Sequence, residues 1–183
     1  MEAQSAERLL AVRVADGDRH ACAELVHRYH AQVYRMMATL CRDEHQAEDL
    51  TQETFAACWA GARGFDGRSS LGAWLRRIAY HKFIDSLRRR RLAPPPATVD
   101  APEPVDPARP VDALLADEAA RNLRAAVDAL PAGGREVIVL HYLEGLSFRE
   151  VAYVLDEPAG TVKWRVSAAL GELRRLMKDA MET

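Results

Sequence analysis

Residues 135–177, REVIVLHYLEGLSFREVAYVLDEPAGTVKWRVSAALGELRRLM, decide how the rest of this chain is read. The stretch predicts three helices with two tight connections. Val137, Ile138, Leu140 and the run His141-Tyr142-Leu143 make a short apolar helix that stops at Gly145, a residue that accepts the left-handed backbone many helix ends adopt. Ser147 opens the next helix, and Glu150 three residues on completes a capping box in which each side chain satisfies the other's free backbone N–H. Val151, Ala152, Val154 and Leu155 give that helix its buried face. Asp156 to Gly160 is the turn, and the third helix carries Val162, Val166, Ala169, Leu170, Leu173 and Met177 at one-face spacing. Two short helices joined by a tight turn follow the helix-turn-helix plan.

Opposite that apolar stripe, at about 100° per residue, the third helix shows Trp164, with Ser167, Ala168, Gly171 and Arg175 around it. Lys163 and Arg165 flank the same face. Small residues, cations and one aromatic make a surface shaped for a nucleic-acid groove. The bland alternative is a solvated face with one stray tryptophan.

At 183 residues the chain has room for one or two small domains, and 49% hydrophobic residues suffice for helical cores. No apolar run is long enough to span a bilayer, so no membrane insertion is expected. The amino terminus, MEAQSAERLL, lacks the basic-then-apolar order of a secretion signal, which predicts a cytosolic protein. There is no glycine-rich phosphate loop, no nucleophile with a base at motif spacing and no evident carboxylate pair, so the chain reads as a binding protein and not an enzyme, with no cofactor.

The net charge of −2 argues against nucleic acid only until its distribution is considered. Residues 63–91 hold nine Lys and Arg against two Asp and Glu, a net of +7, whereas residues 1–62 hold six against ten, a net of −4. An acidic portion ahead of a basic segment implies two partners of opposite character, one protein and one polyanion.

Helices are predicted from Ala6 to Val14, then through Leu25, Tyr29, Val33, Met36 or Met37 and Leu40, and, after a polar break at Asp43 to Gln46, from Ala47 to Ala62. The last of these buries Leu50, Thr54, Phe55, Cys58 and Trp59 and shows Glu48, Asp49, Gln52 and Glu53 on its other face. An acidic first turn suits the helix dipole, but Gln52 and Glu53 lie beyond it, and a polar docking surface is the rival reading. Cysteines 22, 41 and 58 are odd in number and lack C-x-x-C spacing, so disulfides are not expected and Cys58 packs as a small hydrophobe. A redox switch through a cysteine pair stays open. His27 and His30 have one-turn spacing, but no compact second ligand pair follows and no metal is assigned.

Gly61 to Gly72 is a glycine- and serine-rich loop in which Phe65 serves either as a stacking platform for an unpaired base or as a core residue. The helix Ala73 to Arg91 spreads Trp74, Leu75, Ile78, Ala79, Phe83, Ile84 and Leu87 too widely for a one-sided surface helix, so neighbours should clasp it from more than one side. Its polar stripe is Arg77, His81 and Arg88, and it closes with four cations, Arg88 to Arg91. One or two would serve the helix dipole; four point to phosphate. Leu92 to Pro110 contains seven prolines and reads as an extended acidic linker. A helix from about Val111 to Leu130 leads through Pro131-Ala132-Gly133-Gly134 into the opening stretch. The fold class is therefore all-α, with small helical domains at 1–91 and 111–183 joined by the linker at 92–110.

Ala47-Glu48-Asp49-Leu50-Thr51-Gln52-Glu53-Thr54-Phe55, Ala73-Trp74-Leu75-Arg76-Arg77-Ile78-Ala79, Ile84-Asp85-Ser86-Leu87-Arg88-Arg89-Arg90, Leu130-Pro131, Arg135-Glu136-Val137, Tyr142 to Ser147 and Gly160-Thr161-Val162-Lys163 stand in register along the chain. Together they resemble the extracytoplasmic-function sigma factors of bacterial RNA polymerase. The resemblance implies that residues 1–91 are sigma region 2 and residues 111–183 are sigma region 4, with the linker passing towards the RNA exit path.

It also implies roles. Asp49, Gln52 and Glu53 would dock on the clamp helices of the largest polymerase subunit. The loop with Phe65, Arg68 and Ser69 and the face at Arg77, His81 and Asp85 would open and read the minus-ten element, with Arg88, Arg89, Arg90 and Arg91 on phosphate. Thr161, Lys163, Trp164, Arg165 and Ser167 would read the minus-thirty-five element of promoter DNA while this domain touches the flap of the second large subunit. An anti-sigma factor is the expected regulator.

Three departures stand out. His81 replaces the family's frequent Asn, Trp164 replaces a small Ser, and Ser167 and Ala168 replace bulkier or basic residues. They imply an idiosyncratic minus-thirty-five preference, with Trp164 against a thymine methyl or a sugar edge. The rival readings are a stand-alone helix-turn-helix regulator and a sigma mimic that does not start transcription.

Overall fold

The structure, a computed structural model, describes residues 2–92 and 118–181. The proline-rich linker, apart from Leu92, and the beginning of the helix expected from Val111 lie outside the described residues. The described residues are predominantly helical with no strand, and the chain divides into two compact units, one carrying the helices before residue 93 and the other most of the helical residues after 117.

In the first unit α1 (Glu2–Ala15) is followed by a turn through Gly17, and Asp18 caps α2 (Arg19–Cys41) by accepting from the backbone N–H groups of His20 at 2.8 Å and Ala21 at 3.2 Å. The Arg13 guanidinium donates to the same carboxylate at 2.8 Å, and chiefly for that reason the pKa of Asp18 lies below the usual carboxylate value. Ala21, Leu25, Tyr29, Val33, Met36, Met37 and Leu40 form the buried stripe of α2, at three- and four-residue steps as the sequence predicts.

The break after α2 is shorter than expected. Arg42 takes a left-handed backbone, Asp43 accepts from the Gln46 N–H at 2.9 Å, and α3 begins at Glu44, running to Gly61. The cap stabilises a polar first turn that apolar periodicity could not reveal. α3 buries two threonines without orphaning them, because Thr51 donates to the Ala47 carbonyl at 2.7 Å and Thr54 to the Leu50 carbonyl at 2.6 Å. Trp59, expected in this core, is instead 46% exposed. Cys58 on the same turn is buried, and Trp59, about 100° further round the helix, falls beyond the covered side.

α4 (Leu71–Leu92) packs against α1, α2 and α3, which explains its wide apolar spread. Its residue Arg76 is buried and donates to Gln32 Oε1 at 2.9 Å, and Ser86 accepts from Gln46 Nε2 at 3.0 Å. Buried Cys58 and half-buried Cys41 are free thiols, and burial pushes each pKa up to about 12, so both remain protonated.

In the second unit α5 (Glu118–Ala129) is closed by Arg135, whose guanidinium donates to the carbonyls of Asp128 at 2.8 Å and Leu130 at 3.0 Å. α6 (Ala132–Ile138) starts five residues earlier than its apolar run and then widens into a π-type turn, Val139–Leu143. Val137 to Leu140 are all buried, whereas Tyr142 and Leu143 are half exposed, so the helix expected through Leu143 is not regular to its end. Gly145, at φ +69°, makes the left-handed stop. α7 (Phe148–Leu155) and α8 (Ala159–Met181) complete the unit, with α5 and α6 packed along α8. No helix among the described residues is long and apolar enough to cross a membrane.

Candidate nucleic-acid interface

The loop before α4 is pinned from both ends. Glu7 on α1 accepts the Leu71 N–H at 2.9 Å, and Ser70 accepts the Ala73 N–H at 3.2 Å, satisfying the free donors that open α4. Arg8 donates to the Asp66 carbonyl, and a side chain on Gly67, which sits at φ +68°, would collide with that guanidinium. Asp66 in turn accepts the Arg68 N–H at 2.9 Å. These restraints from α1 act across more than fifty residues of sequence, and no local pattern announces them.

On this loop Arg68 is exposed, with its guanidinium 3.2 Å from Asp66. Phe65 is half-buried, its ring centroid 5.5 Å from that of Trp74 at 54°, so it is neither a free platform nor a core residue. Ser69 is half-buried with its hydroxyl turned out of reach of solvent and without a hydrogen-bond partner. Of the three residues expected to contact DNA here, Arg68 is the one fully presented.

Along α4, Arg77 is half-buried, and His81, Asp85, Arg88 and Arg91 are exposed. Arg88 stands 3.4 Å from Asp85 within its own turn, Arg89 stands 3.8 Å from Glu53, and Arg90 stands 3.7 Å from Asp43. At such distances and exposure an ion pair contributes little, so a phosphate can displace the carboxylates at small cost.

The acidic face of α3 presents Asp49 and Gln52 fully. Glu53 is only part-exposed, because it lies 3.7 Å from Lys82 as well as near Arg89, an intramolecular commitment the sequence did not reveal. Beside this face a shallow cavity of about 360 Å³ is lined by His30, Tyr34, Glu48 and Gln52. The His30 ring lies nearly parallel to those of Phe55 and Tyr34, at centroid distances of 6.0 and 6.4 Å. His30 thus belongs to an aromatic row at the edge of this acidic face. Among the described residues no group of three or more His, Cys, Asp or Glu is arranged to hold a metal ion.

The helix-turn-helix has the predicted capping box. Glu150 Oε2 accepts from the Ser147 N–H at 3.0 Å and from its hydroxyl at 2.8 Å, and Ser147 Oγ accepts the Glu150 N–H at 3.3 Å. Asp156 takes a left-handed backbone in the turn. On α8, Thr161, Lys163, Ser167 and Ala168 are exposed and Trp164 is 71% exposed, while Val162, Val166 and Ala169 are buried behind them.

Arg165 corrects the reading of this face. Its side chain is 14% exposed and points inward, with Nη1 2.5 Å from Glu157, Nη2 2.6 Å from Glu136, and Nη2 donating to the Gly133 carbonyl at 2.6 Å. One residue beyond Trp164 is about 100° further round the helix, at the edge where α6 begins, and two carboxylates there draw the guanidinium in. Burial opposes its charge, but the hydrogen bonds to Glu157 and Glu136 outweigh burial and hold its pKa above the ordinary arginine value. Arg165 therefore does not belong to the exposed face of α8.

A basic, loop-capped helix in one unit and a helix-turn-helix in the other suit a helical DNA-binding protein, and comparison with known proteins narrows the class to the sigma factors of bacterial RNA polymerase. Residues 25–93 match the family model of Sigma-70 region 2, and residues 120–173 match Sigma-70 region 4. The ECF RNA polymerase sigma factor SigW of Bacillus subtilis is 30% identical over 179 residues, covering 91% of this chain and 94% of the relative. SigE of Mycolicibacterium smegmatis is 36% identical over 180 residues, covering 94% and 69%. Among solved structures, CnrH in complex with the cytosolic domain of CnrY is similar at a TM-score of 0.70 and 29% identity, over 95% of this chain and 98% of that one. The chain belongs to the ECF sigma factors: it is an alternative sigma factor that directs transcription initiation. Its relatives are sigma factors, which are not enzymes.

Proposed function

We propose that residues 1–91 carry the polymerase and minus-ten contacts and residues 111–183 the minus-thirty-five contact. The observation that carries this reading is the presence on one small bundle of two exposed surfaces of opposite chemical character, Asp49 and Gln52 on α3 and His81, Arg88 and Arg91 on α4. A polar, acidic face suits a cationic protein surface, and an arginine-rich helix end suits phosphate. In this reading Asp49, Gln52 and Glu53 dock on the clamp helices of the largest polymerase subunit, and Glu53 exchanges its intramolecular cations for those of the polymerase. The loop from Phe65 through Arg68 and Ser69, with Arg77, His81, Asp85 and Arg88 to Arg91, opens and reads the minus-ten element. Thr161, Lys163, Trp164 and Ser167 face the minus-thirty-five element while the same unit touches the flap of the second large subunit.

No catalytic step is required of the chain. Its binding energy positions another enzyme, phosphate contacts fix register, and side chains at base edges supply sequence choice. The protein acts in the cytoplasm, without cofactor or membrane insertion. An anti-sigma factor restrains it, a reading supported by the similarity to CnrH, whose structure was solved with a bound protein domain.

Reversing the charge of Asp49 and Glu53 to Lys tests the docking assignment. The double variant is expected to lose binding to core polymerase while its far-ultraviolet circular dichroism stays helical. Normal binding by that variant would remove the docking face from α3.

A further inference from the structure

Trp164 is the most exposed large aromatic among the described residues, at 71%, and it lies in the second turn of a helix whose packed side is fully formed. Val162 and Val166 beneath it are buried, so the indole has no place in the core of its own unit. Its exposed neighbours Thr161, Ser167 and Ala168 are short, which leaves the ring standing ahead of the helix surface rather than sunk between long side chains. Arg165, tied to Glu136, Glu157 and Gly133, fixes the rotation of α8 and hence the direction in which the indole projects.

The arrangement offers a large flat apolar surface and a single N–H donor on a rigid support. A DNA major groove presents hydrogen-bonding groups at every base edge, but one apolar group, the C5-methyl of thymine. An indole cannot make a bidentate pair with guanine or adenine, because it has one donor and no acceptor. A sugar edge would not use the forward projection of the ring, since backbone contacts fall to the flanks of a recognition helix, where Lys163 stands.

We infer that Trp164 makes upstream-element recognition by this sigma factor depend on a thymine methyl group. The inference rests on the minus-thirty-five reading of α8.

Full-length chain reconstituted with core polymerase, on a promoter recovered by mapping its transcript starts, supplies the test. Each thymine of the upstream element is replaced singly by deoxyuridine, which removes the methyl and keeps every hydrogen-bonding group. Binding by the wild-type holoenzyme should weaken by about fourfold at one position, the value of burying one methyl-sized group. The Trp164→Ala holoenzyme should bind the thymine promoter less tightly and be indifferent to uracil at that position. Because Trp164 is exposed, the variant's thermal unfolding should match wild type, which separates the effect from misfolding. An undiminished uracil penalty in Trp164→Ala, or no penalty at any thymine in wild type, would overturn the methyl contact. If scrambling the entire upstream element leaves wild-type binding unchanged, the minus-thirty-five reading itself falls and the inference with it.

Discussion

Two cationic stretches of this chain look alike in sequence and behave differently in the fold. Arg88 to Arg91 end α4, and all four are exposed. Lys163 and Arg165 bracket Trp164 in the second turn of α8, yet Lys163 is exposed while Arg165 is drawn inside between Glu136 and Glu157. The first stretch lies beyond the packed part of its helix, where it meets the outlying carboxylates of Glu53 and Asp43. The second lies on a helix packed along much of its length, where a long cationic side chain at the edge of the buried face is within reach of the next helix. A basic residue near a groove-shaped face is therefore not evidence of phosphate contact until its neighbours on both sides are known.

Arg165→Ala tests that contrast most severely. It strands two carboxylates, one of them with a side chain only 10% exposed, and removal of one member of a buried ion cluster costs on the order of 3–5 kcal/mol. Urea denaturation of the full chain, with hydrogen exchange on α8 to assign the transition, should show a destabilisation of that size. DNA binding by the folded fraction should keep its salt dependence. A salt slope lowered by about one unit would instead return Arg165 to the phosphate-binding surface.

A smaller effect is expected at the capping box, which is also an internal commitment but lies at the surface. Ser147→Ala should cost about 1 kcal/mol. The loss should shrink when Glu150 is already Ala, since the two side chains serve each other. Equal losses in both backgrounds would show that the reciprocal bonds carry no coupling energy.

The least effect on stability belongs to the outward arginines. Arg88→Ala with Arg91→Ala should change unfolding by less than about 0.5 kcal/mol. The slope of log binding constant against log salt for promoter DNA should nonetheless fall by roughly one unit for each phosphate left without its arginine. Destabilisation as large as that of Arg165→Ala would erase the distinction between the two stretches.

How far the sequence could be read follows from how far each interaction reaches along the chain. The Ser147–Glu150 box, the Gly145 stop, the buried stripe of α2 and the exposed indole of Trp164 are legible because each depends on residues within one or two helical turns. The start of α3 was hidden because its first turn is polar and held by a cap rather than by burial. The widening after Ile138 was hidden because a run of apolar residues says that a segment is buried and not how its backbone turns.

By itself, then, the sequence determined that this chain is all-helical, that its second unit is a helix-turn-helix with an aromatic on the outer face, and that its positive charge gathers in one block. Helical period, caps and charge counts are local quantities. Only the tertiary structure decided that Glu7 closes the start of α4, that Arg8 holds the loop at Asp66, that Glu53 leans on Lys82 and Arg89, and that Arg165 belongs to the interior. Each of these depends on a charged group meeting a neighbour from a distant part of the chain, where the electrostatic gain from a paired neighbour outweighs the tendency of a single charged side chain to face water.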